Sequence, residues 1–295
     1  MRLWITLLLL AATVVHASPT VVVDDHQRRF SVPATPLRLV SLAPHITDML
    51  VGLGASSQIA GVVDDHEVRG PHERSLSGFP VVADSFAVNE ERLLALRPDV
   101  VIVWAEGTPS ARIARLERLG FKVYVMKTVR LADMAGQIER LGRLVGQEAR
   151  GRQQAQVFRD RLTRLQQHYG AGLRLRYFYQ VWRQPLYSLH GGHLLSQALA
   201  LCGADNILPP GNVEAPLVAP EFVVAAKPDV IFFGRDDAAT SQRYWSRFPS
   251  VPAVQQRHLV AVNDARLARP GPALLDAVEP ICRQLQPWRA SARQN

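Results

Sequence analysis

The strongest constraint on this chain is a phrase that it uses twice. Glu91-Arg-Leu-Leu-Ala-Leu-Arg-Pro-Asp-Val-Val-Ile-Val-Trp104 returns 130 positions later as Glu221-Phe-Val-Val-Ala-Ala-Lys-Pro-Asp-Val-Ile-Phe-Phe-Gly234. Each copy reads as a short amphipathic helix opened by an acid, stopped by a basic-Pro-Asp turn, and followed by an apolar run of strand length. Proline cannot continue a helix and pushes the residue before it out of the α region, so Pro98 and Pro228 end their helices by a physical mechanism. An unbroken run such as Val100 to Val103 suits a parallel strand covered on both faces. A second matching pair, Thr47 to Ala55 and Ser196 to Ala204, lies 149 positions apart, each member ahead of its copy of the phrase. Both read as short helices ending at a glycine suited to the left-handed cap. The repeated order of helix, loop, helix and strand predicts two similar α/β lobes.

The length agrees. With 295 residues and 47% hydrophobic content the chain has material for two domains with substantial cores. Thirty-four Lys and Arg against 26 Asp and Glu give a net charge of +8, the balance of a nucleic-acid binder. The arginines are spread along helices at solvated positions and no basic-aromatic motif accompanies them, so no nucleic-acid partner is expected.

Residues 1–17 carry one cation, an apolar stretch and Val15-His-Ala17, the layout of a cleavable secretory signal. The stretch is short for a membrane anchor, and no cysteine near the cut offers a lipid site. The mature chain is expected to begin at Ser18 in an exported, oxidising compartment. There Cys202 and Cys282 are expected to form a bridge rather than two thiols, with a metal pair or a reactive thiol as the alternatives.

In the first lobe, expected over residues 18–130, Arg38 to Leu42 reads as the opening strand. Ala43-Pro44-His45 leads into a helix with Thr47 or Asp48 as its cap. His45 therefore falls at the carboxyl end of a strand, where α/β folds place ligands, or is simply a polar loop residue. Gln58 to Val63 reads as a second strand, left by Asp64-Asp65-His66-Glu67. Trp104, at a strand exit, is a core edge or a cleft wall. Ser110 to Leu119 is an Arg-rich helix, and Lys122 to Met126 a strand that closes the lobe.

Residues 131–169 have helical apolar spacing and no proline, which predicts a rigid linking helix of about 60 Å if Gly146 and Gly151 leave it unbroken. The second lobe, residues 170–295, opens on the aromatic strand Leu175 to Trp182. Pro185 to His193 follows as a glycine-containing loop that places Tyr187, His190 and His193 opposite the His45 loop. Leu259 to Val262 is a late strand left by Asn263-Asp264, and Arg266 to Pro272 leads into a final helix over Ala273 to Leu285.

Taken together, these residues resemble the periplasmic substrate-binding proteins in which two Rossmann-like lobes are joined by one long backbone helix, the class III binding-protein fold. The resemblance covers the whole mature chain. It rests on Arg38-Leu-Val-Ser-Leu-Ala-Pro44, Asn89-Glu-Glu91-Arg, Arg97-Pro-Asp-Val-Val-Ile-Val-Trp104, Cys202-Gly-Ala-Asp-Asn206, Lys227-Pro-Asp229 and the Cys282 helix. Ser-Leu-Ala-Pro and Pro-Asp-Val are shared with haem and ferric-siderophore binders; the tryptophan after the strand and the cysteine pair are more similar to the cobalamin (vitamin B12) binders.

The resemblance implies a monomeric receptor that takes cobalamin, or in related proteins haem or a ferric siderophore, between its lobes and delivers it to the permease dimer of an ABC importer, with no bond chemistry and no catalytic cofactor. By motif position Glu91 and Glu221 are implied to dock the permease. Trp104 and Tyr187 match cleft aromatics, and Arg269 lies near an arginine that reaches the ligand's side groups. Aromatics of the family pattern are replaced by Asp65, Ser85 (with Phe86 beside it) and Ala215. The expected ligand set is Pro44, His45, Asp65, His66, Ser85, Phe86, Trp104, Tyr187, His190, Asp264 and Arg269. A zinc or manganese site built from His45, His66, His190 or His193 with Asp264 is a further alternative. An enzyme is not expected, because the chain has no nucleophile elbow and no base at a fixed spacing from one.

Overall fold

A computed structural model describes residues 20–33, 35–64, 78–84, 87–234 and 237–291. The expected signal segment lies outside them. The first lobe is a parallel five-stranded sheet of β3 (Leu39–Ser41), β4 (Ile59–Val63), β5 (Val81–Ala83), β6 (Val100–Trp104) and β7 (Val123–Met126), in the order β5-β4-β3-β6-β7. The second sheet runs β10-β8-β11-β12, also parallel. Its strands are β8 (Leu175–Arg183), β10 (Ala204–Asn206), β11 (Val230–Gly234) and β12 (Leu259–Val262), with β9 (Leu186–Ser188) antiparallel on β8. Around them lie α1 (Pro44–Gly52), α2 (Glu90–Leu96), α3 (Ser110–Arg118), α4 (Met134–Leu144), α5 (Glu148–Tyr169), α6 (Leu194–Leu201), α7 (Pro220–Ala226), α8 (Ala238–Trp245), α9 (Pro252–Gln255) and α10 (Leu274–Ser291). These are the two α/β lobes that the repeated phrase predicts.

The phrase does the same work in both lobes. Helices α2 and α7 each bury one side chain completely, Leu93 and Val223, worth roughly 1.5–3 kcal/mol apiece. Each ends at a left-handed residue, Arg97 (φ 47°) and Lys227 (φ 49°), which turns the chain into Pro-Asp. Asp99 accepts from the Arg38 amide at 2.6 Å, and Asp229 from the Arg176 amide at 2.7 Å, so each aspartate fixes the start of its lobe's first strand. The following strand then pairs with that first one, Leu39 opposite Val100 and Tyr177 opposite Val230.

Period-2 alternation divides the cores. Val100 and Ile102, with Val230 and Phe232, join one contiguous core through both lobes; Val101 and Val103 face a core of the first lobe, Ile231 and Phe233 one of the second. The shared core takes in α4, α5, α6 and α10, so each sheet is covered on both faces, as its unbroken apolar strands require.

Several elements differ from the sequence expectation. An antiparallel hairpin, β1 (Thr20–Val23) and β2 (Arg29–Val32), precedes the first sheet. It is tied to β7 by the buried Asp24, which accepts from the Val125 amide at 3.0 Å. Strands β5 and β10, three residues each, are too short to show a period in sequence. Helix α1 starts at Pro44, before the expected cap, because Pro suits the first helical position; Thr47 lies inside the helix and donates to Ala43 O and to Ser41 Oγ. The last helix runs Leu274–Ser291.

The linking segment is not one helix. It breaks after α4, where Gly146 adopts φ 70°, and the chain reverses so that α4 and α5 pack on each other. They cross at Gly142 and Gly151, where a Cβ on Gly142 would stand 2.7 Å from the Gly151 Cα. The helix that joins the lobes is α5, 22 residues and about 33 Å long. Arg159 binds Glu139 of α4, while Arg161 binds Asp276 and Glu279 of α10, so α5 is held from both sides.

Candidate functional site

In open parallel sheets the crevice for ligand opens where the strand order reverses, at the strands' carboxyl ends. The first lobe reverses between β3 and β6, the second between β8 and β11. The residues leaving these four ends are therefore Ala43 to His45, Trp104 to Glu106, Trp182 to Gln184, and the segment after Gly234.

On the first lobe this rim is packed down. His45 lies in the first turn of α1, only 4% exposed, with the Trp104 ring edge-on at 5.3 Å. Burial, with the Arg269 charge adding to it, lowers its pKa to about 3, so the ring is neutral. Pro44 precedes it as the first helical residue. Trp104 is half-buried against the shared core, and its six-membered ring lies on Gly107, where a Cβ would meet the Trp104 Cε3 at 2.2 Å. Its Nε1 is shielded from water and has no hydrogen-bond partner among the described residues.

The second-lobe rim is open. Trp182, 63% exposed, stands at the end of β8, opposite Tyr187 in the β8–β9 register, which puts both rings on one face. Trp182 lines a cavity of about 880 Å³ with Val181, Arg183, Asp237, Val262 and Asp264. Asp264 is occupied with its own loop: it accepts from the Arg266 amide at 3.0 Å and pairs with that guanidinium at 2.5 Å.

The histidine loop is a structural device as well as a rim. His190 Nδ1 accepts from the Gly192 and Gly211 amides at 3.1 and 3.2 Å, which leaves Nε2 as the position for the ring proton of the neutral form. His193 caps α6 by accepting from the Leu195 amide at 3.1 Å, with Glu214 at 3.7 Å from its Nε2. Burial, and the neighbouring His190, lower the His193 pKa against the opposing pull of Glu214. Among the described residues no three His, Cys, Asp or Glu side chains converge as a metal set.

Beyond the shared core, polar side chains among the described residues link the lobes at Arg269 and at Gln197. Arg269 reaches Asp48 of α1 at 3.9 Å beside a cavity of about 390 Å³ between α1, α5 and residues 269–276. Gln197 of α6 accepts from the Leu131 amide at 2.9 Å and donates to Val129 O at 2.8 Å. Arg269 thus works here as a link between lobes. Asp65, His66, Ser85 and Phe86 lie outside the described residues.

Glu91 and Glu221 are both exposed in the first turns of α2 and α7, where an acid also suits the helix dipole. Neighbouring Glu90 is paired with Arg115 at 2.9 Å; neither Glu91 nor Glu221 has an ion pair among the described residues. Cys202 and Cys282 form the expected disulfide, which joins the end of α6 to α10.

Two rim residues escape the sequence reading. Trp182 was legible only as one more aromatic of a strand; its signal was that the aromatic run ends at the first strand's exit, where its ring would face out. Glu106 carries an acid two residues past the exit of β6, a signal easily absorbed into an ordinary loop.

Comparison with known proteins bears on this arrangement. The family model described as periplasmic binding protein matches residues 39–264, which takes in both sheets. A curated vitamin B12-binding protein of Vibrio cholerae serotype O1 is 34% identical over 249 residues, 84% of this chain and 89% of the relative. The crystal structure of a periplasmic vitamin B12-binding protein of Vibrio cholerae superposes with a TM-score of 0.74 at 33% identity, covering 85% of this chain and 97% of that one. A periplasmic haem-binding protein of the same species, at 19% identity and a TM-score of 0.70 over 84% and 98% of the two chains, shares the fold. With both lobes, the joining helix and the paired rims inside the matched span, the chain belongs to the periplasmic binding protein family.

Proposed function

We propose that this chain is a periplasmic receptor that captures cobalamin or a related corrinoid between its lobes and hands it, as a monomer, to the permease dimer of an ABC importer. The observation that carries the reading is the likeness to curated vitamin B12-binding proteins, 34% identity over 84% of this chain and 89% of the relative. The geometry agrees with it: a wide crevice wall carrying Trp182 and Tyr187 suits the flat apolar face of a macrocycle, with charged groups at its edge. In this reading residues 1–17 are the export signal, 18–130 and 170–295 the two lobes, and 131–169 the linking helices. Asp65, His66, Ser85 and Phe86, which lie outside the described residues, stay assigned to the ligand in this reading.

Glu91 and Glu221 are the permease handles. They occupy matching positions of the duplicated phrase and are exposed, so a two-fold partner carrying arginines can take both by charge-assisted pairs.

Titration of the mature protein with cyanocobalamin, and separately with haemin, followed by visible absorption, tests the cargo: saturable binding of cyanocobalamin is expected, and binding of haemin alone overturns it. Glu91→Ala combined with Glu221→Ala should abolish corrinoid uptake by cells while the purified variant keeps its affinity. Lost affinity would contradict the handle role.

A further inference from the structure

The end of β6 holds two shielded polar groups that no side chain of the described residues answers. Both carboxylate oxygens of Glu106 are shielded from solvent and meet no side-chain donor among the described residues, only the backbone amides of Glu106 itself and of Thr128. The charged groups around it are Lys127 at the end of β7 and Glu214 on the facing lobe. Burial is the main cause that raises the Glu106 pKa; Glu214 adds to it, while Lys127 and the nearby amides of Glu106 and Thr128 oppose it. Two residues earlier the Trp104 indole nitrogen is shielded and has no hydrogen-bond acceptor among the described residues. Native proteins rarely leave such groups without matching side chains, so a carboxylate lacking a side-chain donor and an indole N–H lacking an acceptor, at one strand end with Glu214 of the other lobe nearby, point to atoms supplied by a ligand.

The chemistry of the missing partner follows from the groups present. A carboxylate accepts hydrogen bonds and repels anions, and Glu214 across the crevice adds a second negative charge. A carboxamide supplies N–H donors to an acid and a carbonyl to an indole N–H. The edge of a corrin carries carboxamides; that of a haem carries propionates, which present no donor when ionised. We propose that Glu106 is a specificity residue, whose carboxylate accepts a hydrogen bond from a peripheral carboxamide of the bound ligand and, together with Glu214, excludes macrocycles edged with carboxylates. This rests on the corrinoid reading above and assigns it a selective contact.

The test uses two corrinoids that differ in edge chemistry: dicyanocobinamide, which carries amides, and dicyanocobyrinic acid, which carries carboxylates. Wild-type protein should bind the amide form more tightly. Glu106→Gln, which keeps the side chain's size and removes its charge, should narrow the ratio of the two affinities by about tenfold or more, as loss of a charged hydrogen-bond partner would. Glu214→Gln should narrow it less. If wild type binds both corrinoids alike, or binds cobinamide selectively with a ratio that E106Q leaves unchanged, the Glu106 assignment is wrong while the corrinoid reading stands. If wild type binds neither corrinoid nor cyanocobalamin, both fall. Where a melting curve shows that E106Q has not folded, Glu106→Asp takes its place: it keeps the charge but withdraws it by one methylene, and should narrow the same ratio, an unchanged ratio again rejecting the assignment.

Discussion

The two lobes repeat each other closely where the chain enters its first strand and differ where that strand ends. At the entry, Arg97-Pro-Asp99 and Lys227-Pro-Asp229 share a left-handed residue, a proline, and an aspartate bound to the first strand's amide. At the exit, lobe one folds Trp104 onto His45 and Gly107, whereas lobe two leaves Trp182 standing in the crevice. The lesson is a division of labour: what fixes the fold is alike in both lobes, and the strand exits, which the proposed cargo would meet, differ. In the proposed reading a flat ligand would find one well-packed wall and one open aromatic wall.

The difference is sharpest in the covalent staple, which only lobe two carries. Replacing Cys202 and Cys282 together by alanine should cost roughly 4 kcal/mol in the chain-entropy treatment of an 80-residue loop, and urea unfolding followed by a lobe-two probe would register it. An equal loss of protection across lobe-one amides in hydrogen exchange would break the comparison, because it would make the lobes one cooperative unit.

The two tryptophans come next. Trp104→Ala should destabilise by about 2–3 kcal/mol, since it empties packed space beneath α1. Trp182→Ala should change stability by no more than about 0.5 kcal/mol and weaken cyanocobalamin binding about tenfold. Denaturation and ligand titration of both variants check the pair; the reverse pattern would mean the walls have been assigned the wrong way round.

A third contrast lies in the rim histidines, buried in lobe one and engaged with backbone amides in lobe two. His45 stays neutral in the folded protein down to about pH 3, whereas the unfolded ring takes up a proton below its ordinary pKa of 6.5. Its stabilising contribution is therefore fully present above pH 6.5 and is lost as pH falls toward 3, by about 2 kcal/mol at pH 5. His45→Gln should flatten that part of the acid limb in urea denaturation between pH 7 and 5; an unchanged slope would reject it. The smallest effect should be the most symmetric. Arg97→Gly and Lys227→Gly each relieve a left-handed residue and should stabilise by about 0.5 kcal/mol after the entropy of glycine is subtracted. Unequal thermal shifts would show that the entry motifs are less alike than their dihedrals.

Much of this was legible in the chain because it depends on local chemistry. Pro98 and Pro228 must stop a helix, and unbroken Val100–Val103 must be covered on two faces, so the lobes, the repeated strands and the exposed positions of Glu91 and Glu221 could be read directly. The long helix was misjudged at Gly146: apolar spacing is the same whether a segment runs straight or folds back, and only the contact of Gly142 with Gly151 decides between them. The site was less legible still. His45 and Arg269 looked like free ligand arms, but each is engaged by residues distant in sequence, His45 with Trp104 and Arg269 with Asp48.

The sequence by itself determined two α/β lobes and the place where each strand begins, because proline, aspartate and apolar runs act on neighbours a few bonds away. Which side chains stand open in the crevice was decided only by tertiary structure. Exposure is a property of opposing surfaces, and residues such as Glu106 and Glu214, 108 positions apart, acquire a common role only when the lobes face each other.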